Sequence, residues 1–163
     1  MFTIRKIEEK DNQQLGDIVQ KVLTEMGAPK IGTAYSDPFL FDLYRVYSEP
    51  KSVYYVVELN DKIVGGCGIG PLKDAVCELQ KMYFLPETRG FGLGKKIIET
   101  CLHDAQSFGY EYCYLETMPY MVAAQKLYKQ FGFEYIDAPM GETGHTSCPV
   151  WMLKSLDSIT DAH

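Results

Sequence analysis

The stretch "LPETRGFGLGKKIIETCL", residues 85–102, constrains the fold more than any other part of the chain. A β-prone run stops at Pro86. Three glycines follow at alternate positions, Gly90, Gly92 and Gly94, and an apolar stripe of helical period begins at once. Ile97, Ile98, Cys101, Leu102, Ala105 and Phe108 form the stripe, which Gly109 closes. "YEYCYLETM" (110–118) then reads as a strand. Glycine weakens a helix by roughly 1 kcal/mol relative to alanine, so three at a helix start need a reason beyond local stability. A strand–glycines–helix–strand unit also demands a sheet with a helix packed on its face.

The flanking segments extend that sheet. "FTIRKI" (2–7) alternates as a strand. Asp11 is placed to cap a helix whose stripe is Leu15, Ile18, Val19, Val22, Leu23 and Met26, ended by Gly27. Residues 28–38 are loop-like, and "FLFDLYRVYSEP" (39–50) reads as a short helix stopped before Pro50. "SVYYVVELN" (52–60), "KIVGGCGIGPL" (62–72) and "AVCELQKMYFLP" (75–86) form an antiparallel meander with a turn at "NDK". After residue 118 come a helix over "YMVAAQKLYKQFG" (120–132) and two strands, "FEYIDAP" (133–139) and "PVWMLKSL" (149–156). The order β-α-α-β-β-β-α-β-α-β-β predicts an α/β (α+β) fold: a mixed, mostly antiparallel sheet with helices on both faces. No repeat or linker divides residues 1–163, so a single domain is expected.

Composition narrows the partners. A formal charge of −6 argues against nucleic acid or an anionic membrane. No apolar run approaches the ~20 residues of a membrane span, and "MFTIRKIEEKD" lacks the apolar core of a signal peptide. The five cysteines are odd in number and contain no C-x-x-C. They read as reduced thiols, and a cytoplasmic setting is expected.

A helix N-terminus leaves N–H groups unpaired and carries partial positive charge, which makes it an anion site. Glycines let an anion approach the backbone, and Arg89 and Lys95 add full charges. The stretch therefore suits a phosphate or pyrophosphate. The P-loop pattern fails, since Arg89 and Lys96 stand where it needs Gly and Ser/Thr. The dinucleotide pattern fails as well, because the spacing is G-x-G-x-G. A nucleotide-binding domain of another fold is thereby disfavoured. Gly66, Gly68 and Gly70 share the spacing but lead into Pro71, and read as strand or bulge glycines.

Arg89-Gly90-Phe91-Gly92-Leu93-Gly94 resembles the Q/R-x-x-G-x-G/A signature of the GNAT superfamily of acyl-CoA-dependent N-acyltransferases. "CELQKMYFLPETRGFGLG" is similar to that family's fourth strand and pyrophosphate loop. "AAQKLYKQFGFEY" (123–135) resembles its second helical motif, A-x-x-LY-x-x-x-GF. One position departs: where the family often has an Asn one turn before the Ala of that helix, this chain has Met121.

The resemblance implies acetyl-CoA as acyl donor, its pyrophosphate on the N–H groups of Arg89, Gly90, Phe91, Gly92, Leu93, Gly94 and Lys95. The pantetheine arm would run along Met82, Tyr83 and Phe84 as an added strand. It also implies a bulge, expected near Tyr83 or Phe84, that frees an N–H to polarise the thioester carbonyl. Tyr128, in the "LY" pair, would be the general acid. Glu78, in the strand leading to the bulge, would be the base that accepts the amine's proton, with Glu116 a second candidate. The acceptor would be a primary amine of a small molecule or peptide, attacking directly in a ternary complex. Many members of the family are dimers, so a homodimer is compatible with the resemblance.

Other residues have plainer readings. His103 is expected to be solvated and His163 to be disordered at the chain end. His145 and Cys148 form H-x-x-C without the second pair that a zinc site of about four ligands needs, so no metal is expected. His145, in a loop before the last strand, is a candidate for touching substrate, as is Tyr35; Phe39, Tyr44 and Tyr47 either wall the acceptor site or pack. The alternative to an enzyme is a non-catalytic acyl-CoA-binding sensor on the same fold.

Overall fold

The computed structural model describes residues 1–143, 145 and 147–156; His163 lies outside them. Among these residues seven strands form one sheet. They are β1 (Phe2–Lys6), β2 (Val53–Leu59), β3 (Lys62–Lys73), β4 (Val76–Phe84), β5 (Tyr112–Thr117), β6 (Glu134–Ile136) and β7 (Val150–Ser155). The helices are α1 (Asn12–Glu25), α2 (Leu43–Val46), α3 (Leu93–Ser107) and α4 (Val122–Gln130). The order across the sheet is β1-β2-β3-β4-β5-β7-β6, with β4 and β5 parallel and every other pair antiparallel. The mixed sheet read from the sequence is thus present, with its elements in the expected order.

The β2–β3 hairpin turns at Asn60 and Asp61, both with positive φ (52° and 67°), as a tight hairpin turn requires. β3 is buried without interruption from Ile63 to Gly70, because both faces of the sheet are covered. Cys101 of α3 packs against Cys67 on one face. On the other, Tyr47, just after α2, lies against Gly68. Two local expectations differ. Asp11 does not cap α1 with its side chain. Its carboxylate accepts instead from the Arg5 guanidinium (2.8 and 2.9 Å) and the Glu8 N–H (2.7 Å). The helix expected over 39–50 is a single turn, α2.

The strand glycines have a specific use. A Cβ on Gly66 or Gly68 would come within 2.5 Å of the Tyr54 ring. Tyr54, on β2, therefore lies flat across β3, and its hydroxyl reaches β4 to donate to the Lys81 carbonyl at 2.8 Å. There the ladder slips: Gly66 pairs with Tyr83 but Gly68 with Gln80, so Lys81 and Met82 together face Cys67. Lys81 takes a left-handed backbone (φ 53°). This is a β-bulge, at Lys81–Met82 and not at the expected Tyr83 or Phe84. The reason is the reach of Tyr54, which engages the carbonyl one strand beyond the glycines.

Below the bulge, β4 and β5 separate. Their pairing covers only Val76–Glu78 against Tyr112–Tyr114. The Leu85 N–H donates to the Val64 carbonyl at 2.9 Å. Alternation along an antiparallel ladder then directs the Phe84 N–H away from β3, into the gap that β5 leaves.

Tyr54→Phe should cost about 1–3 kcal/mol, because it removes the partner of a part-buried carbonyl at a strained residue. Urea denaturation measures this. Unchanged stability would show that the bulge does not depend on the hydroxyl.

Candidate active site

Two cavities meet at the bulge. The larger, about 610 Å³, is a groove between the splayed end of β4, the glycine loop and the start of α4. It is lined by Met82, Tyr83, Phe84, Arg89, Gly90, Gly92, Leu93, Gly94 and Lys95, with Tyr120, Met121 and Leu127 opposite. The smaller, about 180 Å³, lies on the other side of the bulge, among Asp37, Pro38, Phe39, Leu43, Val46, Glu78, Gln80, Lys81, Thr143 and His145. Consecutive residues thus face different cavities: Lys81 the small one, Met82 the groove.

The glycines of the groove serve two purposes. Gly90 and Gly92 have left-handed backbones (φ 86° and 69°), and nothing lies within 4 Å of where their Cβ atoms would be. The loop thus turns sharply and leaves its backbone bare. Gly94 has another role: a Cβ there would meet Leu127 of α4 at 3.0 Å, so it sets the approach of the two helices. The Lys96 N–H bonds the Gly92 carbonyl at 3.2 Å. The N–H groups of Leu93, Gly94 and Lys95, in the first turn of α3, precede that bond and have no helical acceptor. The Phe91 side chain does not line the groove. It is 61% exposed and stacks on Phe2 at 4.8 Å, facing a separate depression beside β1. The positive φ of Gly90 and Gly92 on either side turns it out of the groove.

Met121 is the residue before α4 and lines the groove, where its sulfur accepts from the Thr117 hydroxyl at 3.3 Å. Tyr128, in the last turn of the helix, is buried and packs edge-on against Phe133 at 5.9 Å. No hydrogen bond is found for its hydroxyl among the described residues. None of their side-chain polar atoms is both sealed from solvent and without a partner, so that hydroxyl keeps an opening. Burial holds the phenol protonated far above its ordinary range.

In the small cavity Glu78 is 6% exposed. The Gln80 amide donates to one of its oxygens at 2.7 Å, and the Gln80 carbonyl oxygen accepts from the Tyr47 hydroxyl at 2.6 Å. Burial raises the Glu78 pKa; the Gln80 bond opposes this, and the charge of Glu116 adds to it. Glu116 is itself committed, accepting from the Tyr114 and Thr143 hydroxyls at 2.6 Å each. Asp37 joins two loops to the bulge. Its carboxylate pairs with Lys81 Nζ at 2.9 Å and with His145 Nε2 at 2.9 and 3.1 Å. Burial works against the charge of Asp37, but the His145 bond and the Lys81 ammonium hold its pKa below the ordinary range.

The structure brings His145 into this cavity but not Tyr35. The Tyr35 N–H bonds the Thr33 hydroxyl at 3.3 Å, and its ring lies under the Lys30 ammonium. The turn at Ala34–Ser36 points Asp37 inward in its place. Phe39 lines the cavity, while Tyr44 is 39% exposed on the surface. Cys148 is a free thiol pushed up to about 11 by burial and by Glu116, Glu78 and Asp37, which makes it a poor nucleophile at neutral pH. His103 is exposed, as expected. Among the described residues no group of three or more His, Cys, Asp or Glu side chains could hold a metal ion, and no helix is long and apolar enough to cross a membrane. Sequence reasoning missed Asp37, Gln80 and Lys81; the only hint was a Gln-Lys pair inside a β-prone run.

The raised Glu78 pKa fixes a sign. The folded protein holds this proton more tightly than the unfolded chain, whose value is ~4.3. The stability it contributes is therefore full below ~4.3 and lost as pH rises through the folded value. Glu78→Gln stays neutral, so its Tm should exceed that of the parent at pH 7, with the gain vanishing below pH ~4. A lower Tm at pH 7 would mean that the pocket favours the charged form.

Comparison with known proteins agrees with this geometry. Residues 19–133 match the acetyltransferase (GNAT) family. The chain is 44% identical to the uncharacterized N-acetyltransferase YjgM of Escherichia coli over 94% of both chains. It is 29% identical to human N-acetyltransferase 8B over 68% of this chain and 48% of that protein. A GNAT-family acetyltransferase from Staphylococcus aureus superposes with a TM-score of 0.87 at 20% identity, covering 96% of this chain and 99% of that one. YncA of Salmonella typhimurium, whose structure contains acetyl-CoA, superposes with a TM-score of 0.76 at 19% identity, covering 96% and 94%. With the family match spanning most of its length, the bare glycine loop and the splayed strands of this chain are those of a member of the acetyltransferase (GNAT) family.

Proposed function

We propose that the protein is an N-acetyltransferase that moves an acetyl group from acetyl-CoA to a primary amine by direct attack. The observation that carries this reading is the meeting of two cavities at the Lys81–Met82 bulge, with Glu78 in one and the bare glycine loop in the other. The pyrophosphate would rest on the bare N–H groups of Leu93, Gly94 and Lys95, with Arg89 alongside. The pantetheine arm would fill the gap between β4 and β5, and the thioester carbonyl would accept from the backbone at the end of β4, near Phe84.

An alkyl amine with a Lys-like pKa near ~10.4 arrives protonated. Glu78 takes that proton, and its raised pKa makes it a better base than an exposed glutamate. The amine nitrogen then forms the new C–N bond, the C–S bond breaks, and the electron pair leaves on sulfur. Tyr128 donates a proton to that thiolate, its protonated state at neutral pH suiting the task, and the phenolate so formed takes back, directly or through water, the second proton that the nitrogen sheds as the amide forms. A sensor that only binds acyl-CoA has no need of a buried carboxylate facing a second cavity, so the enzyme reading is favoured.

The direct test is thiol release from acetyl-CoA with a panel of amines; binding without release on any amine would favour the sensor. In the same assay Tyr128→Phe should lose roughly 10²–10⁴-fold in turnover, with acetyl-CoA affinity and Tm little changed. Near-full turnover would leave Tyr128 as a packing residue. Gly92→Leu should weaken acetyl-CoA binding, measured by calorimetry, far more than it weakens folding. An undiminished affinity in the folded variant would remove the pyrophosphate from this loop.

A further inference from the structure

The small cavity holds groups of opposite charge. Glu78, the proposed base, lines it with Gln80 beside it. So do Lys81 and His145, both bonded to the single carboxylate of Asp37. Asp37 is committed to both. Lys81 is mostly buried (12% exposed side chain), and its ammonium has three donors. Asp37 takes one, and no other partner for it is found among the described residues. The apolar side chains of Phe39, Leu43 and Val46 also line it. The volume, about 180 Å³, falls below the ~300–1,000 Å³ of pockets that engulf drug-sized ligands.

Resting on the acetyltransferase reading, we infer that the acceptor is a small amine carrying its own carboxylate, of the size of a free amino acid. Lys81 and His145 bind that carboxylate, and Glu78 faces the amine. Each part of such a molecule meets a matching surface: the amine Glu78, the side chain the apolar wall, the carboxylate the donors that Asp37 holds in place. Opposite-charge contacts of this kind orient as well as attract. A diamine of the same length would bring its second ammonium against Lys81, and a peptide N-terminus would offer an amide where the carboxylate is wanted. The cavity thus selects against both.

The experiment compares a free α-amino acid bearing an apolar side chain with its own carboxamide, by thiol release from acetyl-CoA. The parent should prefer the acid by roughly 10- to 100-fold in kcat/KM, the range for a hydrogen bond to a charged group. Lys81→Met should collapse that ratio toward unity and Lys81→Arg should restore most of it. Both acceptors meet the same bulge, so a merely structural effect cancels in the ratio. His145→Ala, on the far loop, should also reduce the ratio, and keeps the test open if Lys81→Met does not fold. Equal or better use of the carboxamide by the parent overturns the inference, as does an unchanged ratio in the variants. Release with simple alkyl amines but with neither test compound overturns it while leaving the acetyltransferase reading intact. Release with no amine at all overturns both.

Discussion

The site depends on one hydrogen bond, from the Tyr54 hydroxyl across a strand to the Lys81 carbonyl. A left-handed backbone at a residue other than glycine costs roughly 1–3 kcal/mol, and Lys81 must be held there. Gly66 and Gly68 make the hold possible by leaving room for the Tyr54 ring on β3. The bulge then separates two tasks on adjacent residues. Met82 lines the groove, while Lys81 turns into the smaller cavity. Below it β4 runs free of β5, which supplies the open edge that an extended arm can join.

Electrostatics divides the same way. The groove presents cations and bare N–H groups at Arg89 and Leu93–Lys95. The cavity presents a buried carboxylate that holds its proton more tightly than an exposed one does. Burying Glu78 costs stability at neutral pH, and the fold tolerates the cost by giving it the Gln80 amide as donor and Tyr47 behind that. Sites that raise a carboxylate's pKa by desolvation are suited to proton transfer near neutral pH.

Much of this was legible before the structure. The strands and helices follow from alternation, 3.6-residue stripes and the glycines that end α1, α3 and α4. The glycine loop was legible as bare backbone opening a helix, because three helix-weakening residues there need a reason beyond local stability. Glu78 stood out as a carboxylate inside an apolar run. What escaped was what depends on three-dimensional reach. The bulge sits at Lys81 because a tyrosine two strands away finds that carbonyl, and no local pattern in "ELQKMYF" marks it. Asp37 and Tyr35 are near neighbours in one polar loop, and only the turn at Ala34–Ser36 decides which faces the cavity. Phe91 reads as part of the motif, yet the flanking left-handed glycines turn its ring toward Phe2. The second purpose of Gly94, as the seat for Leu127, likewise needs the packing of two helices.

The most direct test of the central claim is the pH dependence of kcat/KM for Glu78→Gln against the parent, with an amine whose chemical step is rate-limiting. The account requires the variant's deficit to be largest near neutral pH and to shrink toward pH 10, where free amine is abundant and needs no base. A deficit of the same size at every pH would contradict it, and would make Glu78 a residue that shapes the cavity without taking the proton.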